Sequence, residues 1–367
     1  MIEALYIHIP FCSYKCPYCD FVSFTQSFVS HGEYLKLLIK ELELYKGANF
    51  SLRTIYLGGG TPSLLNPSLY EEFFKNLSSI VDIRKVEEIT LECNPETYRE
   101  DDFKRIAQIG INRVSIGVQS FKEKGLKALG RRHTVKDSLD CIMSAFKAQI
   151  DNINVDLIYA YPNQSMKDLE EELKFLEDLP VKHVSCYLLT PYEDTLFGEL
   201  VAKGSLKLLG DDQIADMYSF LVNGLKELGF EHYEISNFAF SGYECKHNLS
   251  YWLGKEFLGI GVSAWSFIDN VRFGNTKNLF KYIEMLKRGE KPAIYREVLE
   301  GVELFKDRLF TRLRTSLGIP KEYTQLIPED LLVFFESTDS GLRLKEEGML
   351  VINEILLRIF ESLRIKL

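Results

Sequence analysis

The sequence contains no run of about 18 to 20 consecutive apolar residues, the length that a membrane-spanning helix requires. Its first residues, MIEALYIHIPF, include Glu3 and no Lys or Arg, so they lack the basic start of a secretory signal and read as a strand. Positive charge is not in excess: 44 Lys and Arg stand against 53 Asp and Glu, for a net charge of -9. A broad basic face for nucleic acid is therefore not expected. There is no internal repeat of about 20 to 50 residues and no low-complexity segment, which speaks against a solenoid. Cysteine is scarce and odd in number, seven residues in 367. Without a secretion signal, that count argues for a reducing cytoplasm and metal binding over a disulfide framework.

What is present is ordinary globular composition, 46% apolar and 26% charged, with a patterned first half. Runs rich in β-branched and aromatic residues occur at 5–9, 53–57, 86–92, 112–118, 152–160 and 181–189. Between them, apolar residues recur at helical spacing over 33–45, 69–81, 101–110, 134–149 and 165–179. Asp101, Thr134 and Ser165 are expected N-caps and Gly110 a C-cap. The alternation predicts an α/β fold with parallel strands and right-handed crossovers, and periodicity does not settle whether the sheet closes. It also places chemistry at the C-terminal ends of the strands.

Beyond residue 195 the alternation stops. A helix is expected near 211–228, a strand at 232–240, an irregular aromatic and glycine-rich stretch at 241–265, and a mostly helical C-terminus with its clearest helix at 348–363. The expected division is 1–200 as the core, 201–295 as a continuation, and 296–367 as a small helical unit.

Three cysteines, Cys12, Cys16 and Cys19, fall in FCSYKCPYCDF directly after the first strand. Thiolates are soft ligands suited to iron–sulfur clusters, and three of them leave one iron of a cubane open. Phe11, Tyr14, Tyr18 and Phe21 would shield such a cluster. On spacing alone the alternatives are a zinc site completed by His8 or another side chain, or three unrelated thiols. The second strand ends in YLGGGTPS, where bare backbone can approach a ligand closely. It lacks the glycine spacing of dinucleotide or triphosphate cradles. Polar residues recur along the later strands: Glu92 and Gln119 close their runs, Asp156 lies within INVDLIY, and Arg131 and Arg132 follow Gln119 in ALGRRH. Each on its own reads as well as a solvated strand end or ion pair.

The three-cysteine loop followed by GGGTP resembles the radical S-adenosylmethionine superfamily. YIHIPFCSYKCPYCDF, LGGGTPS, ECNPE, SIGVQSF, LGRRH and NVDLIYAYP are similar to the oxygen-independent coproporphyrinogen III oxidase group, densely so over about residues 4–200. The resemblance implies a partial (β/α)6 barrel with an appended, mainly helical C-terminal domain. It implies that Cys12, Cys16 and Cys19 hold a [4Fe–4S] cluster whose open iron takes S-adenosylmethionine. Tyr6, Gly59 and Glu92 match that cofactor's neighbours, and Gly60, Thr61, Gln119, Arg131 and Asp156 match the lining of a second S-adenosylmethionine in the oxidase. Two departures point away from the oxidase: Asp20-Phe21 stands where it has a further cysteine, and only eleven residues precede Cys12. KHNLSYW resembles the heme motif of the group's heme-chaperone branch, with His247 as axial ligand and Asn248, Tyr251 and Trp252 flanking it. Cys245 is an alternative iron ligand. The implied protein is a cytoplasmic carrier of heme to acceptor proteins, among them membrane-bound respiratory enzymes, with a homodimer as the oligomer to expect.

Overall fold

The computed structural model describes residues 1–366, with side chains described through Leu363. Six parallel strands form its centre: β1 (Ile2–Ile9), β2 (Phe50–Gly59), β3 (Glu88–Cys93), β4 (Arg113–Gln119), β5 (Asn152–Tyr159) and β6 (His183–Leu188). They lie in sequence order, joined by α1 (His31–Glu43), α2 (Pro67–Ile80), α3 (Glu100–Ile109), α4 (Glu123–Ala128), α5 (Val135–Lys147) and α6 (Met166–Glu177). Thr134 and Ser165 cap their helices as expected, each closing a capping box with an Asp three residues on. Gly110 ends α3 in the left-handed region at φ 105°. The start of α3 corrects the expectation at Asp101. Arg99 is the N-cap, its amide donates to Asp102, and Asp101 lies in an acidic first turn that complements the helix dipole.

The outward faces of these strands are apolar. Leu5, Ile7, Ile55, Leu57, Val114, Ile116, Ile153 and Val155 are fully buried against the helices. The inward faces are polar and aromatic, carrying Tyr6, Thr54, Tyr56, Glu92, Ser115, Asn154 and Asp156. That division suits a curved sheet whose concave side holds a site rather than a second helical layer.

The remainder extends the sheet at both edges. Past α7 (Leu196–Ala202) and α8 (Asp211–Glu227), the segment expected as one strand folds back as β7 (Glu231–Glu234) and β8 (Asn237–Ala239), an antiparallel pair beside β6. The stretch read as irregular contains α9 (Lys246–Trp252) and β9 (Phe257–Ile260), the latter parallel to β1. Antiparallel β10 (Trp265–Ile268) and β11 (Val271–Asn275) follow, then α10 (Leu279–Lys287) and β12 (Ala293–Val298). The result is an open sheet of twelve strands in the order β12-β11-β10-β9-β1-β2-β3-β4-β5-β6-β8-β7.

The C-terminal part has its own apolar cluster from Leu309 to Leu363. Besides α11 (Gly301–Arg312), it holds a three-stranded sheet of β13 (Ile319–Pro320), β14 (Phe335–Ser337) and β15 (Gly341–Leu344), then α12 (Glu346–Leu350) and α13 (Ile352–Lys366). The C-terminal part is mainly helical, as expected, with a small three-stranded sheet that the pattern does not predict. Its strands have two to four residues, too short to register as a period-two pattern.

Candidate functional site

Strand β1 delivers the three-cysteine loop at its C-terminal end, where the Cys12 amide donates to the Phe24 carbonyl at 3.1 Å and the Phe24 amide to Pro10 at 2.6 Å. These two bonds pinch the loop at its base. Within it, the Cys19 amide donates to the Cys16 carbonyl at 3.2 Å, and the Lys15 ammonium holds the Phe21 carbonyl and the Ser23 hydroxyl. Cys12, Cys16 and Cys19 are free and partly exposed, whereas the other four cysteines are buried. Phe11 is buried, but the Phe21 ring is 57% exposed, so it does not shield the loop as expected.

The glycine turn after β2 is fastened to this loop. The Gly60 amide donates to the Ile9 carbonyl at 2.8 Å and the Thr61 amide to Phe11 at 2.7 Å. A Cβ on Gly60 would come within 2.7 Å of the Phe11 carbonyl oxygen, so the close approach requires glycine. At Gly59, φ is 113° and a Cβ would meet the His8 ring at 2.5 Å. Glu92, at the end of β3, accepts from the Gly59 amide at 2.9 Å and the Tyr56 hydroxyl at 3.0 Å. Burial and the neighbouring Asp156 charge push its carboxyl up to about 7. Tyr6 stacks on Tyr56 at 6.2 Å, and its hydroxyl lies 3.1 Å from His8 Nδ1.

Gln119 and Arg131 are drawn to the same mouth. Gln119 adopts φ 65° at the end of β4, a left-handed conformation costly for a non-glycine residue. Its amide nitrogen covers Gly117, where a Cβ would lie 2.9 Å away. Arg131 donates to Cys16 Sγ at 3.2 Å, to Asn94 Oδ1 at 2.8 Å and to the Gly117 carbonyl at 3.3 Å. Asp156 lies on the concave face, accepting from Asn154 at 2.8 Å and from Ser115, and desolvation raises its pKa.

His247 and its neighbours stand elsewhere. Helix α9 packs against the N-terminal halves of the strands: the Lys246 and His247 amides each donate to the Glu88 carboxylate at 3.0 Å. Two strand carboxylate oxygens thereby cap the helix start. His247 is fully buried, with Nδ1 2.8 Å from Thr54 Oγ1 and Nε2 2.7 Å from the Tyr251 hydroxyl. In this conformation Thr54 and Tyr251 engage both ring nitrogens of His247, the expected axial ligand. Burial, then the Arg113 charge, lowers its pKa to about 3, so the ring is neutral. Cys245 is also fully buried, its thiol pushed up to about 12 by desolvation, and it offers no open ligand. Asn248, Tyr251 and Trp252 are part-buried around the helix. A ladder of rings joins the two regions: Tyr6 on Tyr56, Tyr56 5.1 Å from His247, and His247 4.9 Å from Tyr251.

The residues fit a cluster better than a single ion. His8 is unavailable to zinc, since Nε2 lies 2.8 Å from the Val22 carbonyl oxygen and Nδ1 faces Tyr6. Among the described residues no group of three His, Cys, Asp or Glu side chains converges on one ion position. The thiolates of a cubane each take a different iron, so they need not converge. Sequence reasoning missed Asn94 and Thr54. Asn94 is central in ECNPE, and its side chain bridges Thr61 and Arg131. Thr54 gives no signal within an apolar strand.

The chain matches the family model for the radical SAM superfamily over residues 6–176. It is 32% identical over 377 residues to the heme chaperone HemW of Bacillus subtilis, covering 96% of this chain and 98% of that protein. Its identity to the HemW of Lactococcus lactis is 35% over 317 residues, covering 86% and 83% of the two chains. A solved structure, the coproporphyrinogen III oxidase HemN from Escherichia coli, superposes with a TM-score of 0.82 at 21% identity, covering 98% of this chain and 90% of that one. That likeness establishes the shared partial-barrel fold. Among the described residues no helix is long and apolar enough to cross a membrane.

Proposed function

Because the chain belongs to the HemW family within the radical SAM superfamily, we propose that it is a heme chaperone that binds heme and passes it to acceptor proteins. The observation that carries this reading is likeness along nearly the whole chain to proteins named for that role, joined to an intact three-cysteine mouth. Cys12, Cys16 and Cys19 are the residues that would hold the [4Fe–4S] cluster. When bound, such a cluster leaves one iron for S-adenosylmethionine and supplies an electron for its reductive cleavage.

Around that position the protein supplies shape and polarity. Gly59 and Gly60 keep side chains out of the mouth, and Glu92 fixes the glycine turn through the Gly59 amide. Tyr6, Thr61, Gln119, Arg131 and Asp156 complete the proposed S-adenosylmethionine surroundings. His247 is the proposed iron ligand for heme, reached only when α9 opens and the contacts to Thr54 and Tyr251 break. Asn248, Tyr251 and Trp252 would then flank the macrocycle. Acceptors at respiratory membranes, a homodimer and a cytoplasmic location belong to the same proposal.

Anaerobic reconstitution tests it. The expected result is iron and labile sulfide on the chain, stable heme binding, and no conversion of coproporphyrinogen III. Turnover of that substrate with release of 5′-deoxyadenosine would instead assign the chain to the oxidase branch.

A further inference from the structure

The turn carrying Arg131 is built against the cysteine loop. Gly130 adopts φ 67°, and a Cβ there would come within 2.7 Å of the Pro17 ring. The Arg132 amide donates to the Tyr14 hydroxyl at 3.2 Å, and its guanidinium covers the Tyr14 ring at 4.4 Å. From the other side, the Phe197 amide donates to the Pro17 carbonyl at 2.9 Å. The loop is therefore strapped by two segments distant in sequence.

Arg131 itself reaches inward. One guanidinium nitrogen donates to Cys16 Sγ at 3.2 Å and the other to Asn94 Oδ1 at 2.8 Å. The Asn94 amide donates to Thr61 Oγ1 at 3.1 Å, and that hydroxyl lies 3.5 Å from Cys12 Sγ. An unbroken series of side chains, Cys12, Thr61, Asn94, Arg131 and Cys16, thus links two of the three thiols. Arg131 Nε is buried with no hydrogen-bond partner. Among the described residues no carboxylate forms an ion pair with Arg131, and the nearby Glu96 faces His133 at 3.7 Å. A guanidinium withdrawn from water needs an anion to offset its desolvation. The Glu96 carboxylate acts on Arg131 only through its field, whereas Cys16 Sγ, the sulfur of a proposed cluster ligand, is in direct hydrogen-bond contact with it.

We infer that Arg131 is a positioning residue for the iron–sulfur cluster: through Asn94 and Thr61 it fixes Cys16 relative to Cys12, and its charge favours the reduced, more negative state. N–H donors and positive charge at cluster sulfurs act in that direction, raising the reduction potential. The inference rests on the cluster reading above and is separate from any contact Arg131 makes with S-adenosylmethionine.

The test uses the full chain, reconstituted anaerobically with iron and sulfide and without S-adenosylmethionine. Iron per chain and the midpoint potential from an EPR-monitored redox titration are compared for wild type, Arg131→Met, Arg131→Lys and Lys127→Met. Arg131→Met is expected to hold less iron and titrate at a lower potential. Arg131→Lys should recover part of the shift, and Lys127→Met, which removes an exposed charge on α4 with no contact to the loop, should match wild type. Wild-type iron content and potential in Arg131→Met would overturn the inference. If that variant does not fold, Asn94→Ala, which releases Arg131 and Thr61 without removing charge, is expected to lose iron; full retention would overturn the inference. A wild-type chain that takes up no iron and sulfide would refute the cluster reading itself.

Discussion

Thr54 Oγ1 lies 2.8 Å from Nδ1 of His247, residues 193 apart in sequence, and this contact seats α9 against the second strand. His247→Ala removes both ring contacts and leaves a void among buried residues. Such a change costs about 2–4 kcal/mol. Chemical denaturation should show a lower midpoint with an unchanged denaturant slope.

Tyr251→Phe keeps the ring and deletes only the hydroxyl that engages His247 Nε2. An unpaired buried nitrogen costs about 1–2 kcal/mol, which raises an opened population roughly 5- to 30-fold. If opening exposes the iron ligand, heme affinity rises by the same factor. A heme titration followed in the Soret band measures it, and unchanged affinity would leave His247 as a structural residue only.

Gly60→Ala places a Cβ against the Phe11 and Ile9 carbonyl oxygens, at 2.7 and 2.9 Å. These are backbone atoms that cannot rotate away, so the turn must lift from the cysteine loop. A loss of about 2–4 kcal/mol is expected. Thermal unfolding reads that loss, and reconstitution should recover less iron per chain.

Glu41 gives a pH dependence remote from the mouth. It is fully buried, accepts from Tyr282 at 2.5 Å, Asn275 at 2.6 Å and the Gly261 amide at 2.7 Å, and burial pushes it up to about 7 from 4.5. The unfolded chain releases this proton first as pH rises. Its contribution is therefore full below about pH 4.5 and is lost as pH rises through about 7. Glu41→Gln should flatten the fall in unfolding free energy between those limits relative to wild type. The buried neutral histidines oppose this trend, since His8 and His232 titrate near 4, so the difference between the two proteins is the quantity to measure.

Much of the fold was legible because parallel strands and their crossover helices are written in local periodicity. All six central strands, with α1, α2, α3, α5 and α6, lie where the pattern predicts them. Caps at Thr134 and Ser165 were readable because Ser and Thr bond backbone only a few residues away. The edge strands β7 to β12 were largely illegible. Their runs of three to six residues are stabilised by neighbouring strands, and β11 interrupts its own pattern with Gly274 beneath the Trp265 ring.

The sequence by itself determined the ligand chemistry of the mouth: three thiols in one loop and a glycine turn after the next strand are local features whose meaning survives without coordinates. Tertiary structure decided where the remaining polar side chains stand, because their partners come from distant strands. Arg131 meets Cys16 across 115 residues, and His247 meets Thr54 across 193. No periodicity encodes such contacts. Packing buried the His247 ring with both nitrogens engaged, and gave Arg131, in the turn between α4 and α5, a sulfur as its partner.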